Sequence, residues 1–375
     1  MPTACYSGLI GMTLRDVENY RRSLCLYAFV FVTVSFCSCI SSRMTLDSSI
    51  DALMAPYALS DGPGAAVLVM QNDSVLFRKA YGLAECERRE PVRTTTNFRL
   101  ASVTKEFTAM CIMILARRHL LSYDDTLGRY FPGLPSYGRA ITIRQLLTHT
   151  SGIPDYEDLI PDTQTVQVHD RDCLALVAQA DSTYFPPGTA YRYSNTGYAL
   201  LALIAESVSG KRFADLLTDE IFSKVGMSNS VAFEDGISTV ENRAYGYART
   251  GDAWIRADQS VTSAVLGDGG IYSSVEDLSR WVAALYHHRL IDAGTQTIAW
   301  RRGTLNDGRA IDYGYGWHIE DLRGIAHPYH GGSTRGFRNA IQLFPDRHLM
   351  IVILTNRDEG DPAVPARAIA DLVAH

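Results

Sequence analysis

Apolar and polar residues alternate in two short runs, Ala66 to Gln71 and Ser74 to Tyr81, on either side of Asn72-Asp73. Period-two alternation around an Asn-Asp pair predicts a β-hairpin, so a sheet starts here. From Ser102 the period changes. Val103, Phe107, Met110, Cys111 and Ile114 recur at helical spacing, which predicts a helix from residue 102 to about 120 with one apolar face. Helical patterns continue through "TIRQLLTHTSG", "RDCLALVAQAD" and "NTGYALLALIAESVSGKRFADLLTDEIFSKVGM", each run ended by Gly or an Asp/Ser cluster. Strand patterns return in "NAIQLFPDRHLMIVILTN", two apolar runs joined at Pro345-Asp346, and a last helix is expected around Ala363 to Ala374. Strands at both ends with helices between predict an α/β (α+β) fold, in which helices flank an antiparallel sheet built from both chain ends and a mainly α-helical domain is inserted. The expected boundaries are residues 46–130 and 255–375 for the sheet domain and 131–254 for the insert.

Residues 1–45 carry another pattern. Arg15, Arg21 and Arg22 precede an uncharged apolar run from Leu24 to Ile40, as in an export signal or membrane anchor. The run is a little short for a membrane span, and the arginines before it place the remainder on the far side of the membrane, periplasmic or membrane-anchored. Cys39 follows Ser38 as in a bacterial lipoprotein processing site, a pattern from which Phe36 departs, and Met12 offers an alternative start. Membrane contact is expected through this segment alone.

Composition narrows the function. At 375 residues and 46% hydrophobic the chain can bury a large core. The 35 basic and 41 acidic side chains give a net charge of −6 with no block of like charge, so no nucleic-acid surface is expected. Outside the leader only Cys86, Cys111 and Cys173 remain, too scattered for a disulfide framework. The ten histidines include no H-E-x-x-H, so a metal site is not expected.

Three short motifs can carry chemistry. In Ser102-Val103-Thr104-Lys105, helical spacing lets the lysine reach the serine hydroxyl, and a desolvated lysine of lowered pKa can take its proton. Ser102 could equally cap the helix with the help of Glu106, leaving Lys105 as solvated surface. Tyr193-Ser194-Asn195 follows a Pro-Gly turn and precedes an apolar helix. A tyrosine there becomes a base only beside a cation that favours its phenolate, and an asparagine can orient a lysine and a substrate carbonyl; an Asn-capped helix with a packing tyrosine is the plainer account. His330-Gly331-Gly332-Ser333 leads into the C-terminal strands, where a sheet edge could pair with an extended substrate, although the same residues make a flexible turn. "GGSTR" lacks the last glycine of a nucleophile elbow, "GDGG" reads as a turn at a site rim, and His149 in "LLTHTSG" reads as a hydrogen-bonded structural histidine.

The order S-x-x-K, Y-x-N, H-G-G, with about ninety and then about 135 residues between them, resembles the penicillin-recognising serine hydrolase family in its class C β-lactamase-like branch. "LLTHTSGIPDY", "FPPGTAYRYSNTGY", "LGDGGIYSSVEDLSRW" and "YGYGWHI" extend the resemblance from Pro63 to Asn356. It implies a β-lactamase/transpeptidase-like fold and a serine hydrolase that cleaves an ester or amide through an acyl-enzyme. Ser102 would be the nucleophile, Lys105 and Tyr193 its base system, Asn195 a substrate-positioning residue, His330 to Ser333 the third motif, and the N–H groups of Ser102 and Ser333 the oxyanion hole. Small esters, amides or peptides would be substrates and β-lactams ligands, and the resemblance implies no metal or organic cofactor. Alternatives are a penicillin-binding D-Ala-D-Ala carboxypeptidase, a D-amino-acid peptidase, or a catalytically idle envelope-binding protein. One departure matters: β-lactamases of this branch carry lysine where this chain has His330, and a mostly uncharged imidazole weakens the pull on a substrate carboxylate unless Arg335 or Arg338 replaces it.

Overall fold

The computed structural model describes residues 45–322 and 324–373, so the apolar run and Cys39 lie outside the described residues. By its contacts the chain divides after Leu53. Residues 45–53 are helical, and the unit from Met54 onward carries every element below.

Six strands form the main sheet: β1 (Ala65–Gln71), β2 (Ser74–Tyr81), β3 (His318–Leu322), β4 (Ile325–Thr334), β5 (Phe337–Phe344) and β6 (Leu349–Thr355), in the order β3-β4-β5-β6-β1-β2, all antiparallel. The expected hairpin is present. Asn72 and Asp73 both take positive φ (49° and 62°), the turn whose twist matches the flanking strands and which Asn and Asp tolerate. β1 then pairs with β6 from Ala65↔Thr355 to Gln71↔Leu349, so the two ends of the chain close one sheet, as the strand pattern predicts.

One face of that sheet, with Ala66, Leu68, Ile341, Leu343, Met350, Val352 and Leu354, joins the main hydrophobic core. The alternate positions Val67, Val69, Ile351 and Ile353 are buried as well, and a helix (α7, Ala363–Val373) packs on β5 and β6. Burial on both faces explains why β6 is an unbroken apolar run.

The helices that shape the site are α1 (Thr104–Arg117), α2 (Ile143–Leu147), α3 (Asp170–Val177), α4 (Asn195–Ser209), α5 (Leu266–Gly269) and α6 (Val275–Tyr286). Helix α1 departs from expectation in two ways. It starts after a 3₁₀ turn, Ala101–Val103, with no side-chain cap, and every residue from Thr104 to Leu115 is buried. A helix enclosed on all sides must find internal partners for its polar residues. Thr108 donates to the Gly267 carbonyl (2.7 Å) and the Glu106 carboxyl accepts from Trp281 Nε1 (2.8 Å), while Phe107 stacks on Trp281 at 4.3 Å. Glu106 is thus no cap, and burial holds its pKa well above the ordinary range.

Of the two readings of the third motif, the structure takes the sheet edge and not the turn: His330 to Ser333 are part of the ten-residue strand β4. β3 pairs with β4 only as far as His318↔Tyr329, so residues 330–334 pair with β5 alone, leaving their other edge without a sheet partner. The "GDGG" stretch, expected to be a turn, lies as far as Gly269 in the short buried helix α5. Among the described residues no helix is long and apolar enough to cross a membrane.

Candidate active site

Ser102 lies on the 3₁₀ turn that opens α1 and is placed by a strained neighbour. Ala101 has φ +51°, a conformation costing a non-glycine residue roughly 1–2 kcal/mol. Strand β4 holds this turn from behind: a Cβ on Gly332 would sit 2.1 Å from the Leu100 carbonyl oxygen, so only glycine fits. Gly331 differs, since a Cβ there would meet nothing closer than 3.8 Å. One glycine serves the fold, and the other leaves room for a side chain.

Lys105 is fully buried. Its Nζ is 3.1 Å from Ser102 Oγ, 2.8 Å from Asn195 Oδ1 and 2.9 Å from the Asp268 carbonyl, three acceptors for three ammonium protons. Burial pushes its pKa below the ordinary lysine value, against the pull of the carboxylates of Asp268, Asp155 and Glu157. The expectation of a solvated surface lysine is therefore excluded.

Tyr193 and Asn195 flank the start of α4. Asn195 is fixed from both sides, its N–H donating to Asp155 Oδ2 (2.8 Å) and its Nδ2 to Glu157 Oε1 (3.2 Å). The Tyr193 ring lies 5.0 Å from Lys105 Nζ. Its hydroxyl is buried outside hydrogen-bond geometry, with the Ser102 side chain near enough to favour ionisation. Burial outweighs that help and raises the Tyr193 pKa well above its ordinary value, which favours the phenol over the phenolate that a base would need.

His330 is 2% exposed and turned inward. Its Nδ1 is 2.6 Å from the Gly331 carbonyl and must carry the proton, leaving Nε2 to accept from Tyr313 Oη at 2.9 Å. Burial, His318 and Lys105 hold its pKa well below the usual value, and His318 is held at about 4. Arg338 donates from Nη1 to the carbonyls of Thr334 and Phe337, and Arg335 stays exposed beside Thr334.

Arg99, Ser102, Glu157, Asn195, Asp268 and Ser333 line one cleft. The structure thus brings together Ser102, Lys105, Tyr193 and Asn195, with His330 against the aromatic rings behind Tyr193 (6.3 Å between ring centres) and Ser333 on the cleft wall. Three contributors escape the sequence reading: the Asp268 carbonyl and the carboxylates of Asp155 and Glu157. The first is a backbone atom with no side-chain signature, although "GDGG" marks its place. Burial and Asp155 push Glu157 up to about 7. Among the described residues no group of three or more His, Cys, Asp or Glu is arranged to hold a metal ion.

The sequence model of the β-lactamase family matches residues 46–375. The chain belongs to the β-lactamase family. Within the family it is similar to penicillin-binding protein 4* of Bacillus subtilis, with 32% identity over 311 residues covering 78% of this chain and 68% of that protein. It is also similar to a D-aminopeptidase of Cereibacter sphaeroides, 29% identical over 341 residues; the match covers 88% of this chain but only 63% of that enzyme, so the chain spans less than two thirds of it. Among solved structures, a penicillin-binding protein from Bacillus halodurans superposes with a TM-score of 0.74 at 29% identity, covering 86% of this chain and 98% of that one. A D-amino acid amidase from Ochrobactrum anthropi gives 0.73 at 21% identity over 88% and 96%, a likeness of fold. Family membership makes this protein a serine hydrolase of the β-lactamase fold.

Proposed function

We propose that the protein hydrolyses an ester or amide bond, in the broad class C β-lactamase-like sense, through an acyl-enzyme on Ser102. The observation that carries this reading is the buried Lys105 Nζ, 3.1 Å from Ser102 Oγ and of lowered pKa. A carbonyl seated in the cleft would direct its oxygen to the N–H groups of Ser102 and Ser333. Neutral Lys105 takes the hydroxyl proton as Oγ bonds to the carbonyl carbon. The tetrahedral adduct then expels an amine or alcohol, which receives the proton through the Tyr193 phenol, and water attacks the ester by the same route in reverse, restoring Ser102. The unpartnered edge of β4 at residues 330–334 supports binding of an extended substrate. With His330 neutral, penicillins should acylate Ser102 and leave slowly. The apolar run Leu24–Ile40 behind Arg21 and Arg22 supports a site of action outside the cytoplasm.

A second reading, a D-amino-acid peptidase or amidase, is favoured by the Glu157 carboxylate on the cleft wall, a partner for a substrate ammonium. Intact-mass spectrometry after incubation with a fluorescent penicillin, p-nitrophenyl esters and D-amino acid amides separates the readings. We expect adduct or turnover that disappears in Ser102→Ala. Fast ester turnover selects the first reading and preference for D-amino acid amides the second. Neither adduct nor turnover with any probe would leave an idle binding protein.

A further inference from the structure

His149 is 1% exposed and takes φ +55°, a left-handed conformation unusual outside glycine and stable only where the surroundings enforce it. Those surroundings are the segment that carries Tyr193. The His149 carbonyl accepts the Arg192 N–H (3.0 Å), and its Nδ1 accepts the Ser194 N–H (3.2 Å), so the two bonds fall on either side of Tyr193. Between them the imidazole lies against the Tyr193 ring at 4.1 Å and meets Tyr313 edge-on at 4.5 Å. The neighbouring chain is tied the same way, Gly188 N–H to the Thr150 carbonyl and Tyr184 N–H to the Gly152 carbonyl.

Accepting a main-chain N–H at Nδ1 puts the ring proton on Nε2. That atom is buried without a hydrogen-bond partner among the described residues. Among the described residues no hydrogen bond links the imidazole to Ser102, Lys105 or a carboxylate. Its polar capacity is directed at the backbone between Tyr193 and Asn195.

We propose that His149 is a positioning residue for acyl transfer: its acceptor on Ser194 N–H and its ring beneath Tyr193 set where the Tyr193 hydroxyl and the Asn195 amide stand relative to Lys105. This rests on the Ser102 acyl-enzyme reading. A structural role alone would show in stability, including the cost of stranding the Ser194 N–H, and would leave kcat of the folded protein unchanged. A positioning role places the loss in kcat and makes it depend on that acceptor.

Three substitutions separate the contributions. His149→Asn keeps an acceptor near Nδ1 and tolerates positive φ; His149→Gly keeps the backbone but removes acceptor and ring; His149→Phe keeps a ring without an acceptor. With whichever substrate the wild type turns over, we expect kcat to fall by about 100-fold in His149→Phe and His149→Gly with KM changed by less than about 3-fold, as for a small misplacement of reacting groups. His149→Asn should recover to within about 10-fold of wild type, because it restores the bond to Ser194 N–H. Thermal melts run in parallel, and if the Phe variant does not fold, the Asn and Gly pair decides. The proposal is overturned if the Gly or Phe variant folds and keeps kcat within about 3-fold, or if Asn loses as much as Gly. If the wild type itself does not react at Ser102, the hydrolase reading falls and this inference with it; if the wild type reacts and the variants match it, only this inference falls.

Discussion

Lys105 shows how far a single residue can be pressed by its surroundings. An ammonium without solvent contact persists only with every N–H satisfied, and the oxygens of Ser102, Asn195 and Asp268 supply that number. Burial favours the neutral form that a general base requires, while the nearby carboxylates favour the cation. The sign of the pH dependence follows. Acylation should rise with pH along a limb whose apparent pKa lies below the ordinary lysine value of about 10.4. Removing a carboxylate removes support for the cation, so Glu157→Gln should move that limb to lower pH, and stopped-flow acylation rates against pH would show it. A limb that stays in place or moves upward would contradict the assignment. His330 and His318 add no limb near neutrality, because both are held uncharged there. Ser102, Lys105, Tyr193 and Asn195 were legible because each is a side chain in a spaced motif. The state of Tyr193 was not, since it depends on how completely packing removes water, which spacing does not encode.

At the scale of elements, strand β4 and the 3₁₀ turn act as one support for the nucleophile. The close approach of Gly332 to the Leu100 carbonyl makes the two glycines of the third motif unequal. Gly332→Ala must push β4 from the turn and should lower stability by about 1–3 kcal/mol, with a large loss of acylation. Gly331→Ala meets no such obstacle and should fold with a stability within about 0.5 kcal/mol of wild type. Urea melts of both variants test the contrast, and equal losses would refute it. The hairpin at Asn72-Asp73 was legible because its turn chemistry is local. The third motif was legible only as one of two readings, because paired glycines are also a loop signal and what makes them a strand is pairing with β5. Helix α1 was read as one-sided because its buried polar residues imitate a solvent face; their partners, Trp281 and the Gly267 carbonyl, come from a distant part of the chain.

Over the whole molecule, strand patterns at both ends were enough to predict a shared sheet, but not the residue that fastens it. Asn356 is fully buried. Its Oδ1 accepts the Gly64 N–H (2.8 Å), and its Nδ2 donates toward the carbonyls of Leu83, Ala84 and Tyr245. Asn356→Ala would strand these groups and should cost about 2–4 kcal/mol, read from denaturant midpoints; a cost below about 1 kcal/mol would show that the ends hold without it. The Gly64 to Asn356 bond joins positions 292 apart, and β1 has no second neighbour until β6 is available. During synthesis, the first hairpin must therefore wait beside a growing run of helices until the last strand of the sheet has emerged. Closure of the sheet is a late event with a large loop to order, and the turn bearing Ser102 gains its backing strand only shortly before. A ribosome-bound chain halted short of β4 would have made its nucleophile and lysine, yet would hold neither in working position.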